Sequence, residues 1–214
     1  VKVSSSTSII LQNFIVYQIA LVTLGIVAVI SNHIFHLYPK VEILQNLVTI
    51  GFIANTLTIV VMFLVSFNTK FNRFIVKVGI NILSKLHLVK NKDEKLKEWD
   101  NNINNFHDSA TILLKNKKDF ILGILYNLIA LTLLYLIPLF LAYAIGLNVF
   151  NPLEAIVTSA YVMLLGSFVP MPGGTGGLEY GFLAFYGNFL GGSKLTALML
   201  LWRFITYYLG MILG

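Results

Sequence analysis

No cysteine occurs in this chain. That excludes a disulfide framework, a thiol nucleophile and any cysteine-held metal or cluster. Charge is scarce too. Asp, Glu, Lys and Arg make up 11% of the residues, against about a quarter in a soluble domain. A Walker loop, an HExxH pair, a nucleophile elbow and a paired-carboxylate arrangement are all missing. The four histidines show no metal-ligand spacing. These absences leave no soluble catalytic domain on the chain, and no cofactor is expected.

What fills the 214 residues is apolar: 57% are hydrophobic and the mean hydropathy is +0.81. The chain therefore reads as an integral membrane protein. Its net charge is +6, and most of the fifteen Lys and Arg fall between Lys70 and Lys118. That stretch also holds acids, so it is a mixed-charge, solvated region with a basic excess. Nucleic acid is not the partner such a balance suggests. Anionic lipid headgroups facing juxtamembrane basic residues are.

Apolar runs predict a first span over Ile9–Ile30, a second over Leu47–Phe67, a third over Phe120–Ile145 and a last one from Leu195. Asn13 and Gln18 interrupt the first. Ser31–Glu42, with His33, His36, Tyr38, Pro39 and Lys40, reads as a short interfacial loop. Asn68–Asp119 is the sizeable polar region. In it Phe71, Phe74, Ile75, Val78, Ile82 and Leu86 recur at helical spacing, opposite Arg73, Lys77, Asn81, Ser84 and Lys85. This predicts an amphipathic helix on the membrane surface. Leu96, Trp99, Ile103, Phe106, Ala110 and Leu113 predict a second. A plain solvated connector is the other reading of this charge run. The positive-inside rule puts the region in the cytoplasm, Lys2 inside and the His33/His36 loop outside. The chain starts at Val1 rather than Met and stops at Gly214 within an apolar helix, so both ends are expected to be cut.

The most informative stretch is Pro170–Glu179, read P-M-P-G-G-T-G-G-L-E. It separates Leu153–Phe168 from Leu178–Leu190, two apolar segments each too short for a bilayer that takes about 20 helical residues. Pro and Gly in this density cannot continue a helix. Non-helical backbone at membrane depth survives only when buried in protein or lining a wet cavity. The expected form is a re-entrant helix pair dipping in from the outside, over residues 153–190. Broken, Gly/Pro-interrupted segments of this kind point to a transport or binding site.

Two charges need an account, one in the second short segment and one in the last span. Glu179 opens the second short helix, where an acid can cap the backbone or act as an intramembrane functional group. Arg203 lies well inside the last span and needs a partner or water. It can pair with Glu179, or its guanidinium fork can take a lipid phosphate. The glycines can serve an anion site at the helix start or close helix packing. Asn55, Tyr126 and Asn127 suit interhelical hydrogen bonds, and Glu154 suits a cap.

The pattern P-x-P-G-G-x-G-x-x-E at Pro170–Glu179, followed by L-L-W-R-x-x-x-Y-Y at Leu200–Tyr208, resembles the membrane region of lysylphosphatidylglycerol synthase. That family is also called phosphatidylglycerol lysyltransferase or multiple peptide resistance factor. It includes stand-alone flippase-like proteins of bacteria and archaea. The resemblance covers most of the chain, the amphipathic loop included. It implies a single flippase-like domain over residues 1–214, in the bacterial plasma membrane. In complete synthases a cytosolic domain transfers lysine from lysyl-tRNA to phosphatidylglycerol. The membrane region is held to move the product to the outer leaflet, where the cationic lipid repels cationic antimicrobial peptides. The residues carried over as substrate-binding are Pro170, Pro172, Gly173, Gly174, Gly176, Glu179, Arg203 and Tyr207. The implied partners are an anionic or aminoacylated phospholipid, the membrane, and a soluble lysyltransferase domain or a second copy of the chain.

Two departures from the family pattern stand out. Further spans with another Pro/Gly/Glu-containing segment are not found in these residues, which bears on whether the chain transports lipid unaided. Gly210 stands where many members have Pro near the end of the Arg-bearing span. The expected fold is an all-α polytopic membrane protein with about four full spans, the re-entrant pair and the cytoplasmic amphipathic loop. Three other functional readings stay open: the membrane part of a lysyltransferase whose catalytic domain lies elsewhere, an ion-coupled transporter of the DedA-like type, and a membrane anchor for a partner enzyme.

Overall fold

The computed structural model describes residues 3–35, 42–85, 116–166 and 172–213, together with Leu37, Trp99, His107 and Thr111. The elements among these residues are all helical. They are α1 (Val3–Phe35), α2 (Glu42–Phe67), α3 (Thr69–Lys85), α4 (Lys117–Ala144), α5 (Pro152–Gly166), α6 (Gly177–Tyr186), α7 (Gly192–Arg203) and α8 (Leu209–Leu213). A 3-10 turn over Pro172–Gly174 precedes α6, and a π-helical turn over Phe204–Tyr208 joins α7 to α8. Asn13–Phe35, Val48–Phe67, Lys117–Ala144 and Gly192–Leu213 are long and apolar enough to cross a membrane. The chain is an all-α, multi-pass membrane protein.

The helices follow the apolar runs but overrun them. α1 extends past both ends of the expected Ile9–Ile30, so Ser31–Phe35, expected in a loop, is helical. Hydropathy marks where a bilayer ends, whereas a helix ends only where its backbone bonding stops. The rest of that loop up to Val41, Leu37 aside, lies outside the described residues, as does Leu86. So does the second predicted amphipathic helix, apart from Trp99, His107 and Thr111, which are helical. α4 runs through Pro138, which is fully buried. Membrane helices tolerate such a proline because neighbours re-satisfy the freed backbone.

The chain forms two compact units: Val1–Ile19 with Leu57–Leu125, and Ala20–Thr56 with Tyr126–Gly214. In the first, α2 passes to α3 through the single residue Asn68. The Asn68 N–H donates to Leu64 O at 2.9 Å, and the Asn72 N–H donates to Asn68 O at 2.9 Å. The Asn68 side chain accepts from the Phe71 N–H at 3.1 Å and so caps α3. Asn72 Nδ2 donates back to Val65 O at 3.0 Å, fixing the corner. His107 Nδ1 lies 3.3 Å from Ser66 O. A carbonyl can only accept, so this bond needs a proton on Nδ1.

In the second unit α5 and α6 form an antiparallel helical hairpin. The hydroxyl of Tyr186 reaches Ala155 and Ser159 at one end. Gly181 sits against Val162 in the middle, and Leu178 lies on Gly166 at the other end. A ring stack joins the hairpin to its neighbours: Phe150 to Tyr186 at 5.3 Å, Tyr186 to Phe182 at 4.3 Å and Phe182 to Trp202 of α7 at 4.8 Å. Such pairs add about 0.5–1.5 kcal/mol each beyond their burial.

Ser159 and Tyr186 form a buried polar link inside this apolar packing. Ser159 Oγ donates to Tyr135 O of α4 at 2.8 Å. That uses its one proton, so the 2.8 Å contact with Tyr186 has the tyrosine as donor. Ala155 O, 3.2 Å away, shares the same proton. Tyr186→Phe leaves Ser159 Oγ and Ala155 O without this donor. It should lower stability by about 1 kcal/mol, read from unfolding in detergent micelles by circular dichroism. Ser159→Ala should add little on top, because both changes break one network.

Candidate functional site

The broken end of the hairpin is where the predicted site residues meet. α5 stops at Gly166, where a Cβ would overlap the Leu178 side chain. Pro172 then opens the 3-10 turn, the first-turn position that its missing N–H and fixed φ suit. Gly173 follows at φ 70°, and a Cβ there would run into the Tyr207 ring, 2.6 Å from Cζ. Two needs coincide at this residue: left-handed backbone and room for a ring. Gly174 packs against Leu178. Gly176, at φ 89°, turns the chain into α6 with open space where a Cβ would stand, so only its backbone conformation calls for glycine. Pro170 lies outside the described residues.

Glu179 and Arg203 close this end. Arg203 Nε donates to Glu179 Oε1 at 2.6 Å, and its Nη2 donates to Gly173 O at 3.1 Å. The other carboxylate oxygen, Oε2, accepts the Gly176 N–H at 2.6 Å. The capping role and the ion pair therefore do not compete: each uses its own oxygen. The Arg203 side chain is 5% exposed and that of Glu179 is 24% exposed. The Tyr207 ring lies 5.4 Å from the guanidinium carbon, within cation–π range. One side chain thus ties together the turn, the start of α6 and the last span.

Depth follows from helix rise. Arg203 ends α7 about halfway along the Gly192–Leu213 span. At about 1.5 Å per residue, that is roughly 17 Å from the start of the span. The hairpin end and its ion pair therefore sit near the middle of that span.

The π-turn directly after Arg203 was not legible in the sequence. There the Leu209 N–H reaches back to Phe204 O. Such turns mark functional positions in many helices. Here the turn carries Tyr207, which touches both Gly173 and Arg203. Outside this cluster, Glu154 and Asn151 form a reciprocal cap at the start of α5. The Asn151 N–H donates to Glu154 Oε2 at 2.6 Å, and the Glu154 N–H donates to Asn151 Oδ1 at 2.9 Å. Asn55 Nδ2 bonds Gly51 O in its own helix at 2.9 Å. Tyr126 is exposed on α4 rather than turned inward.

A family model described as "Lysylphosphatidylglycerol synthase TM region" matches residues 1–214, the whole chain. The chain belongs to this family. No curated protein and no solved structure matches it. Membership in the lysylphosphatidylglycerol synthase membrane-region family makes the chain a membrane region related to lysylphosphatidylglycerol synthesis, associated with membrane lipids. The two sequence patterns that carried the resemblance, around Glu179 and around Arg203, are the two halves of the ion pair.

Proposed function

We propose that this chain acts as one flippase-like domain that carries a phospholipid between leaflets, and that the hairpin end handles the headgroup. The substrate class is an anionic or aminoacylated phospholipid such as lysyl-phosphatidylglycerol. The ion pair of buried Arg203 and half-buried Glu179 at the break between two short helices carries this reading. A lipid phosphate can replace Glu179 on the guanidinium fork. The released carboxylate then needs a cation, and the ammonium groups of a lysyl headgroup supply it. Both protein charges stay paired throughout, which matters where an unpaired ion is costly. Pro172, Gly173, Gly174, Gly176 and Tyr207 shape the turn that presents these groups, and the proposal extends to Pro170 on the family pattern alone. In the cell the chain would work in the bacterial plasma membrane, beside a lysyltransferase domain or a second copy of itself. Its product would contribute to resistance against cationic peptides.

The test is leaflet exchange in proteoliposomes holding lysyl-phosphatidylglycerol, followed with a membrane-impermeant amine reagent. Glu179→Gln and Arg203→Lys should each slow exchange at least tenfold. The first leaves the lysyl ammonium groups without a carboxylate. The second replaces a two-pronged donor with a point charge. Wild-type exchange rates in both variants would overturn the assignment of the site.

A further inference from the structure

α3, in the first unit, carries a feature independent of the transport reading. The helix Thr69–Lys85 contains Lys70, Arg73, Lys77 and Lys85 and no acid. All four cations are exposed. Lys70, Arg73 and Lys77 recur at i, i+3 and i+7 and form one stripe. Phe74, Val78 and Ile82 recur at i, i+4 and i+8 and form an adjacent one, widened by Ile75. This apolar stripe is open: Phe74 is 63% exposed and Ile82 is 54% exposed. Asn72 and Ile80, on the remaining side, are buried. One side of the helix is therefore covered. The helix shows an apolar stripe beside a cationic one along the rest.

Its position says what covers these stripes. The α2 span ends at Phe67, and α3 starts at Thr69. The Asn68 cap and the bond from Asn72 to Val65 O fix that corner. α3 thus leaves the bilayer boundary directly, with no linker to carry it away. An apolar stripe edged by cations at this level matches a phospholipid surface: apolar side chains reach the acyl boundary and the lysines meet the phosphates.

We propose that α3 docks on the bilayer surface where α2 ends and that it selects anionic phospholipid there. The selectivity comes from the lysines, since a neutral surface offers the apolar stripe the same acyl boundary but no net charge. Each basic residue near an anionic surface strengthens such docking by roughly fivefold, and the effect fades with salt.

The cysteine-free sequence makes spin labelling clean. Phe74→Cys and Ile82→Cys, each carrying a nitroxide, are compared in the full chain in vesicles of phosphatidylcholine, with and without phosphatidylglycerol. Phosphatidylglycerol should raise the ratio of oxygen to nickel-chelate accessibility several-fold at both sites. Adding Lys70→Gln, Lys77→Gln and Lys85→Gln should abolish that rise, as should high salt. Three outcomes would each overturn the proposal. Equal lipid exposure in both vesicle types would mean that the apolar stripe binds without selectivity. Strong nickel access in both would put the stripe in water. Protection from both reagents would mean that protein covers it.

Discussion

Arg203→Ala is expected to cost about 3–5 kcal/mol of stability, the amount lost when one partner of a buried ion pair is removed. The substitution strips Glu179 Oε1 of its donor and leaves Gly173 O without the guanidinium. Glu179 would keep the Gly176 N–H but no cation. Water is the usual rescue for such a carboxylate, but this site lies near the middle of a span, where water is scarce. Glu179→Gln should cost less, because its amide oxygen can still accept from Arg203 or Gly176. The double variant Glu179→Gln/Arg203→Met removes both charges and leaves an amide oxygen for Gly176. It should recover most of the loss, as neutral replacements of buried pairs often do. Unfolding by denaturing detergent, followed by circular dichroism, gives all four corners of the cycle once Arg203→Met is measured as the matching single variant. Equal losses in Arg203→Met and the double variant would mean that the stranded charge does not set the importance of Arg203. A folded double variant also separates two roles, since transport through this pair predicts that it is stable yet inactive.

The pair itself was legible in the sequence because a charge in an apolar segment has few ways to be satisfied. Glu179 lies in the short segment after the break and Arg203 inside the span that follows it, so each was the other's candidate partner. The cap at Glu154 was readable for a similar local reason: Asn151, Pro152 and Glu154 occupy adjacent start positions of one helix. What was not legible depended on contacts between distant segments. Ser159 and Tyr186 look like ordinary membrane-helix residues until α5 and α6 fold back on each other. The π-turn after Arg203 has no Gly or Pro to announce it. Its position becomes meaningful only once Tyr207 is seen on Gly173. From sequence, Glu179 could cap the backbone or pair with Arg203, with nothing to say that it does both. A carboxylate has two oxygens, and the structure uses one for each.

Gly173→Ala should be the most damaging small change in the turn, and comparison with Gly176→Ala shows why. Both residues have positive φ, so a Cβ at either incurs the left-handed backbone penalty, about 1–2 kcal/mol. Around Gly176 there is open space, and the penalty should stop there. At Gly173 the new methyl would also collide with the Tyr207 ring. Overpacking of this kind adds about 1–3 kcal/mol, for an expected total of about 2–5 kcal/mol. Tyr207→Ala placed on Gly173→Ala should relieve the collision and return the loss towards that of Gly176→Ala. The same double variant should not restore lipid exchange if the tyrosine ring is part of the site. The collision matters for function because Gly173 O is one of the two acceptors that hold Arg203. Pushing the turn off the Tyr207 ring moves that carbonyl, and the guanidinium loses one of its anchors while Glu179 stays in place. Gly173→Ala should therefore slow exchange more than its loss of stability accounts for. Gly176→Ala adds no collision, so it should slow exchange less than Gly173→Ala, even though its N–H holds Glu179.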